Sequence, residues 1–181
     1  MKTVIYIAIL IVLIACSSKR STYGNSTDAK RATVETDTFN VYNYLDILPH
    51  AFEVNHSSEV VKEYTEHLKD WPYKWHFQTS VKNISKKELT IVSFGMLAWD
   101  NGRWRIDKKQ EKYNSGILGP EDFSDWYNCP TGIIKPGETF SDSTNWSGSY
   151  KPEPFIQKWF YLGKDKKGNF YIGESDIRFE N

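Results

Sequence analysis

Three groups of side chains have the types that chemistry needs. His50, Glu53 and His56 stand together in HAFEVNH, with His67 and His76 further along. A metal site needs three or four ligands converging on one point. His50 and His56 can share one face of a strand, and His67 or His76 can join them. Nothing in the spacing forces this, so the simpler reading is four solvated histidines and no metal. Glu121, Asp122 and Asp125 cluster before Trp126. Paired carboxylates beside aromatics occur in glycoside hydrolases, and an acidic loop is also a place for calcium. The alternating Asp spacing of a calcium loop is missing, and such residues decorate any solvated loop. Gly-x-Ser-x-Gly, His-Glu-x-x-His, a phosphate loop and a dinucleotide fingerprint are all absent. No catalytic residue and no cofactor is expected.

The third group is aromatic. Trp75, Phe77, Phe94, Trp159 and Tyr161 sit on alternating patterns and are expected in a core. Trp126, Tyr127, Trp146 and Tyr150 lie among Ser, Asn, Asp and Gly. In a loop they would either plug the ends of the fold or stand exposed beside short polar groups. The second arrangement suits a sugar ring or a partner protein, so these four are the candidate ligand-binding residues. The chain has two cysteines, Cys16 and Cys129. Cys129 precedes Pro130, which favours extended backbone, and no His nearby in sequence would activate it. A buried, inert thiol is expected there.

Composition limits what must position these residues. The 181 residues carry 23 basic and 23 acidic side chains, and 15% are aromatic. That length suits one domain with a tail. Zero net charge gives no electrostatic reason for a nucleic-acid partner. Negative mean hydropathy excludes a multi-span membrane protein.

The N-terminus reads MKTVIYIAILIVLIAC. Lys2 is followed by an unbroken apolar run from Val4 to Ala15 and then by polar residues. A run of about 10–14 is signal-peptide length, whereas a span needs about 20. Leu13-Ile14-Ala15-Cys16 resembles the lipobox of bacterial lipoprotein precursors. That resemblance implies cleavage before Cys16, a diacylglyceryl thioether on its sulfur, and a membrane anchor outside the cytoplasm. Ser17 does not resemble the Asp that retains some lipoproteins in an inner membrane, which favours an outer membrane in a cell that has one. Residues 17–38 hold nine Ser or Thr and almost nothing to bury, a composition of disordered chain. At roughly 5–6 Å × √n such a tether reaches about 26 Å. The expected organisation is a signal peptide over 1–15, lipidated cysteine and tether over 16–38, and one domain over 39–181.

Within the domain, residues 57–70 (SSEVVKEYTEHLKD) predict a helix. Ser57 or Ser58 can cap it, Glu59 sits in the first turn, and Val60, Val61, Tyr64, Leu68 and Trp71 recur at helical spacing before Pro72. The same residues can also pair as an edge strand. Tyr73 to Val81 alternates with period two. Leu89 to Trp99 is apolar on both faces and predicts a central strand covered on each side. Asp100-Asn101-Gly102 predicts a hairpin turn into a strand over 103–106. Residues 107–124 read as a long loop, 131–140 as strand, Pro-Gly turn and strand, and 155–162 with 169–173 as a last hairpin. The class is mainly β: an antiparallel β-sandwich with one short N-terminal helix.

The stretch FQTSVKNISKKELTIVSFGMLAWDNGRW is similar to immunoglobulin-like accessory domains of bacterial envelope proteins, the FxLYD and telokin-like kind. The matching positions are Val81, Asn83, Ser85, Leu89, Asp100 and Gly102, with Ile134, Pro136, Gly137 and Glu138 later. The resemblance covers roughly 75–145. The long 107–130 segment and the aromatic C-terminal hairpin depart from it. It implies an immunoglobulin-like sandwich without catalytic residues, and it transfers fold rather than activity. The leading expectation is a non-catalytic binding module on a lipid anchor at Cys16, taking an envelope protein or polysaccharide. An immunity or inhibitor lipoprotein that blocks a toxin or hydrolase is the alternative. A glycan-active enzyme using the 121–125 carboxylates and a structural envelope subunit come behind.

Overall fold

A computed structural model describes residues 46–67, 71–106 and 117–180. The expected signal peptide, Cys16 and the tether lie outside the described residues. In chain order the elements are β1 (Phe52–His56), β2 (Val61–Tyr64), β3 (Tyr73–Asn83), β4 (Leu89–Asp100) and β5 (Arg103–Ile106). There follow β6 (Ile117–Leu118), α1 (Pro120–Trp126), β7 (Ile133–Ile134), β8 (Thr139–Ser149), β9 (Phe155–Lys164) and β10 (Phe170–Phe179).

They form two antiparallel sheets. In the first, β3 is the centre. One of its edges is shared by β1, opposite Asn83 to Thr79, and β2, opposite His76 to Tyr73. Its other edge is taken by β8. The second sheet runs β10-β9-β4, and the far edge of β4 is covered in turn by β7, β6 and β5. The chain changes sheet between β3 and β4, returns between β7 and β8, and crosses again between β8 and β9. This is the immunoglobulin-type sandwich order, β1-β3-β8 on one sheet and β10-β9-β4-β5 on the other.

The period-two pattern of β3 turns Trp75, Phe77, Thr79 and Val81 inward, all buried. They meet Trp159, Tyr161, Ile177 and Phe179 from the second sheet. Edge-on and tilted ring pairs join the layers, with Phe77 to Trp159 at 6.0 Å and Phe77 to Phe179 at 5.4 Å. Each such ring contributes about 1.5–3 kcal/mol on burial. All five aromatics expected in the core are there. β4 is covered on both faces as its composition predicts. Leu97, on its outer face, packs with Phe160 and Ile172 under Leu48, Trp104, Ile106 and Ile117.

Two close approaches hold the sheets in register. Phe52 lies across β9 and β10 where Gly163 and Gly173 have no side chain. A Cβ on Gly173 would stand 2.6 Å from the Phe52 carbonyl oxygen, and one on Gly163 would stand 2.5 Å from the tip of the Phe52 ring. At the other crossing, buried Asn83 ties the β3–β4 turn to the corner before β8. Its Nδ2 donates to the carbonyls of Lys87 and Ile134, each at 2.7 Å. Its Oδ1 accepts from Ser85 N at 2.9 Å and Ser85 Oγ at 2.7 Å. Its backbone pairs with Glu138 and Gly137. Gly137, at φ +80°, makes the left-handed turn that this corner needs.

The helix expected over 57–70 is not found among its described residues, 57–67, and 68–70 lie outside them. Residues 61–64 form β2 instead, and all four are exposed. A helix would need a surface to bury Val61 and Tyr64. The open edge of β3 offers hydrogen bonds instead, and β-branched Val61 accepts them readily. Lys62 then lies over the rings of Tyr73 and Trp75. The one helix among the described residues is α1, inside the segment expected to be loop. Pro120 starts it, and the Asp122 carboxylate accepts the Gly119 N–H at 3.0 Å. The Pro-Gly turn appears as expected, but its two flanking strands belong to different sheets: β7 pairs with β4 and β8 with β3.

Candidate functional site

The four aromatics expected to bind a ligand do not form one site. Tyr127 is buried and corrects the expectation for that position. It stacks on Phe123 at 4.4 Å, and its hydroxyl meets that of Tyr161 at 2.5 Å. Burial, with the bond to Tyr161 opposing it, pushes its phenol far above the usual range. It plugs the side of the sandwich because α1 carries it over the inner face of β4. Trp126, one residue earlier, is half-exposed and sits edge-on to Phe94 at 5.5 Å. Trp146 is not in a loop but on β8, on the outer face of the first sheet, beside Trp71 and under Lys74. Tyr150 follows the end of β8 and is exposed.

The histidines are dispersed. His50 bridges to Ile172, His67 is exposed in a turn, and His76 on the outer face of β3 pairs with Glu63 at 2.8 Å. His56 differs from the surface expectation, because its half-buried ring turns inward against Phe77 and Trp159. Its Nδ1 lies 3.0 Å from Thr79 Oγ1, which also accepts from Asn145 Nδ2 at 2.9 Å. Burial lowers the His56 pKa, with the Ser175 backbone and Asp176 opposing. Of the carboxylates, Asp122 caps α1, while Glu121 and Asp125 are exposed on its surface. Cys129 is a buried thiol, as expected. Burial pushes it up, and its Sγ points to the Ile133 carbonyl.

A concave surface lies elsewhere, on the outer face of the second sheet at the end where β4, β9 and β10 meet the β4–β5 hairpin. A cleft of about 560 Å³ is lined by Trp99, Trp104, Ile156, Asp176, Arg178 and Glu180, with Pro154, Phe155 and Phe179 behind. The hairpin builds its aromatic wall. Asn101 (φ 49°) and Gly102 (φ 80°) make a two-residue turn closed by Asp100 opposite Arg103. That register puts Trp99 directly opposite Trp104, with ring centres 5.0 Å apart at 72°. Trp99 is 50% exposed.

Behind the indoles sits Lys158, its side chain only 14% exposed. Its Nζ bonds Glu174 at 3.0 Å and Asp176 at 3.1 Å, and lies 5.1 Å from the Trp104 ring centre. Burial pulls the ammonium pKa down, and the two carboxylates outweigh that and raise it. Lys158 thus fixes Trp104 from one side and Asp176 from the other. Sequence reading missed this pair because Trp99 closes an apolar strand. The signal was there in Trp-Asp-Asn-Gly-Arg-Trp: a two-residue turn over Asn-Gly sets the flanking tryptophans directly opposite each other.

At the opposite end of the sandwich, Asp165 organises the β9–β10 turn. It accepts from Lys167 N and Asn169 N, from Asn169 Nδ2, from Lys87 Nζ at 2.8 Å and from Tyr171 Oη at 3.1 Å. The Asn169 side chain first, then Lys87, hold its carboxyl well below the usual carboxylate range. A depressed folded pKa adds stability that is complete above the unfolded value, about 3.9, and drains away below it. The thermal midpoint should therefore fall below about pH 4, and Asp165→Asn should flatten that acid limb. Equal acid slopes for both proteins in a melting series would refute this.

No protein-family model matches the chain, and no curated protein does. Several solved structures are similar to it, two of them as follows. One is the X-ray structure of a Northeast Structural Genomics Consortium target, SoR45, at 12% identity and TM-score 0.48, covering 72% of this chain and 87% of that one. The other is a Bordetella pertussis protein assigned as ApaA, at 15% identity and TM-score 0.42, covering 73% and 96%. At these scores the sandwich rests on its own strand pairing.

Proposed function

We propose that this chain is a membrane-anchored bacterial lipoprotein whose β-sandwich is a non-catalytic binding module of the cell envelope. The observation that carries the reading is the cleft beside the Trp99–Trp104 pair. Sheet faces in a sandwich are either covered or polar, and here two indoles, one half-exposed, rim a concavity with charged groups at its edge. The carboxylates considered for catalysis support the non-catalytic reading. Asp122 is used in capping α1, and neither Glu121 nor Asp125 lines the cleft.

Crosslinking in intact cells followed by recovery of the protein tests the reading. A retained envelope component is expected with the native chain and should be lost with Trp99→Ala. Recovery of the same material with both proteins would remove the cleft from the function. The anchor is tested separately. Cys16→Ser should move the protein out of the membrane fraction and abolish fatty-acid labelling, and labelling that persists would refute the lipobox.

A further inference from the structure

We infer that the cleft beside Trp99 and Trp104 binds a short stretch of an uncharged glycan, an inference that rests on the binding-module reading. The first ground is charge balance. Arg105 is 3.4 Å from Asp100, and Lys158 is matched by Glu174 and Asp176. Arg178 and Glu180 at the rim are one of each sign. With Lys158 set against two carboxylates, these groups sum to a single net negative charge, so the surface offers a polyanion no attraction and a polycation only one charge.

The second ground is shape and bonding. Trp99 and Trp104 stand edge to face, so they present two flat apolar surfaces at different angles. The C–H face of a pyranose ring fits such a surface, as an apolar body with polar edges fits an indole. Lys158 over Trp104 holds that ring in place before any ligand arrives, which cuts the ordering cost of binding. At the edge, Arg178 supplies a planar fork of donors, while Asp176 and Glu180 supply only acceptors. Asp176 and Arg178 lie two residues apart on β10, so they face the same way. A donor fork beside a carboxylate matches a pair of neighbouring hydroxyls, each of which both gives and takes a hydrogen bond. An extended peptide would also stack on tryptophan, but it offers its backbone groups singly and leaves this side-by-side pair half-used.

The test is calorimetric titration of the full chain, purified from membranes in detergent. The probes are cellohexaose, maltohexaose, mannohexaose and xylohexaose, with hexagalacturonate as the anionic comparison. Saturable binding of at least one uncharged probe is expected, with little salt dependence and none to hexagalacturonate. Trp99→Ala and Arg178→Ala should each weaken it at least about tenfold with the thermal midpoint unchanged. The inference is overturned if no uncharged probe binds, if hexagalacturonate binds best, or if Trp99→Ala leaves affinity intact. When the sugars fail but Trp99→Ala still abolishes capture of a crosslinked envelope protein, the glycan is wrong and the cleft's role stands. When both fail, both readings fall.

Discussion

Gly173→Ala should destabilise the domain by about 3 kcal/mol or more, a large fraction of the stability of a domain this size. The new methyl would stand 2.6 Å from the Phe52 carbonyl oxygen and 3.0 Å from its carbonyl carbon. These are backbone atoms and cannot swing aside. Relief requires β1 to lift from β10, which strains the paired bonds Ala51 N to Ile172 O and Ile172 N to Pro49 O and withdraws Phe52 from the core. Truncating a buried Phe alone costs about 3–5 kcal/mol. Gly163→Ala should be milder, because its methyl meets the far end of the Phe52 ring. Urea midpoints check this, and Phe52→Ala sharpens it. Removing the ring should rescue Gly163→Ala but not Gly173→Ala. Rescue of both would mean that the backbone contact does not matter.

Asn83→Ala should cost a similar amount, about 2–4 kcal/mol, through hydrogen bonds rather than volume. It leaves the Ile134 carbonyl without its 2.7 Å donor in a buried place and frees Ser85 from its acceptor. Asn83→Asp should be at least as damaging at neutral pH despite its equal size. It replaces the Nδ2 donor with an oxygen facing the carbonyls of Lys87 and Ile134 and so buries a negative charge against two acceptors. An Asn83→Asp protein as stable as the native one in denaturant titration would show that the donor side of this network contributes nothing.

Much of this framework was legible in the sequence. The alternation from Tyr73 to Val81, the doubly apolar Leu89 to Trp99 and the Asn-Gly turn each reappear as β3, β4 and the β4–β5 hairpin. Local rules suffice there, because side-chain period and turn chemistry agree. They fail where a tertiary partner decides. Val61 and Tyr64 fit a helical stripe as well as a strand, and only the vacant edge of β3 chooses. β8 hides because its inward positions Asp142, Asn145 and Ser147 are polar, so no alternation marks it, although all three are buried. A seven-residue helix such as α1 is too short for its period to show. The candidate site was the least legible part. Exposed aromatics were sought among polar neighbours, whereas the exposed indole Trp99 ends an apolar strand and owes its position to Trp104 across the turn.

The pairing of the strands also sets an order in time. The second sheet is built on β9, and β9 joins β4 to β10. Neither β4 nor the hairpin wall that carries Trp99 has its main neighbour until residues 155–179 have been made and freed. The first sheet waits likewise, since β3 needs β8 across a long stretch of chain. Closing such distant pairs is slow, on the order of milliseconds to seconds for all-β sandwiches. The second layer, and the core between the layers, therefore stay open to solvent, to proteases and to any passage that requires an extended polypeptide until the last hairpin arrives.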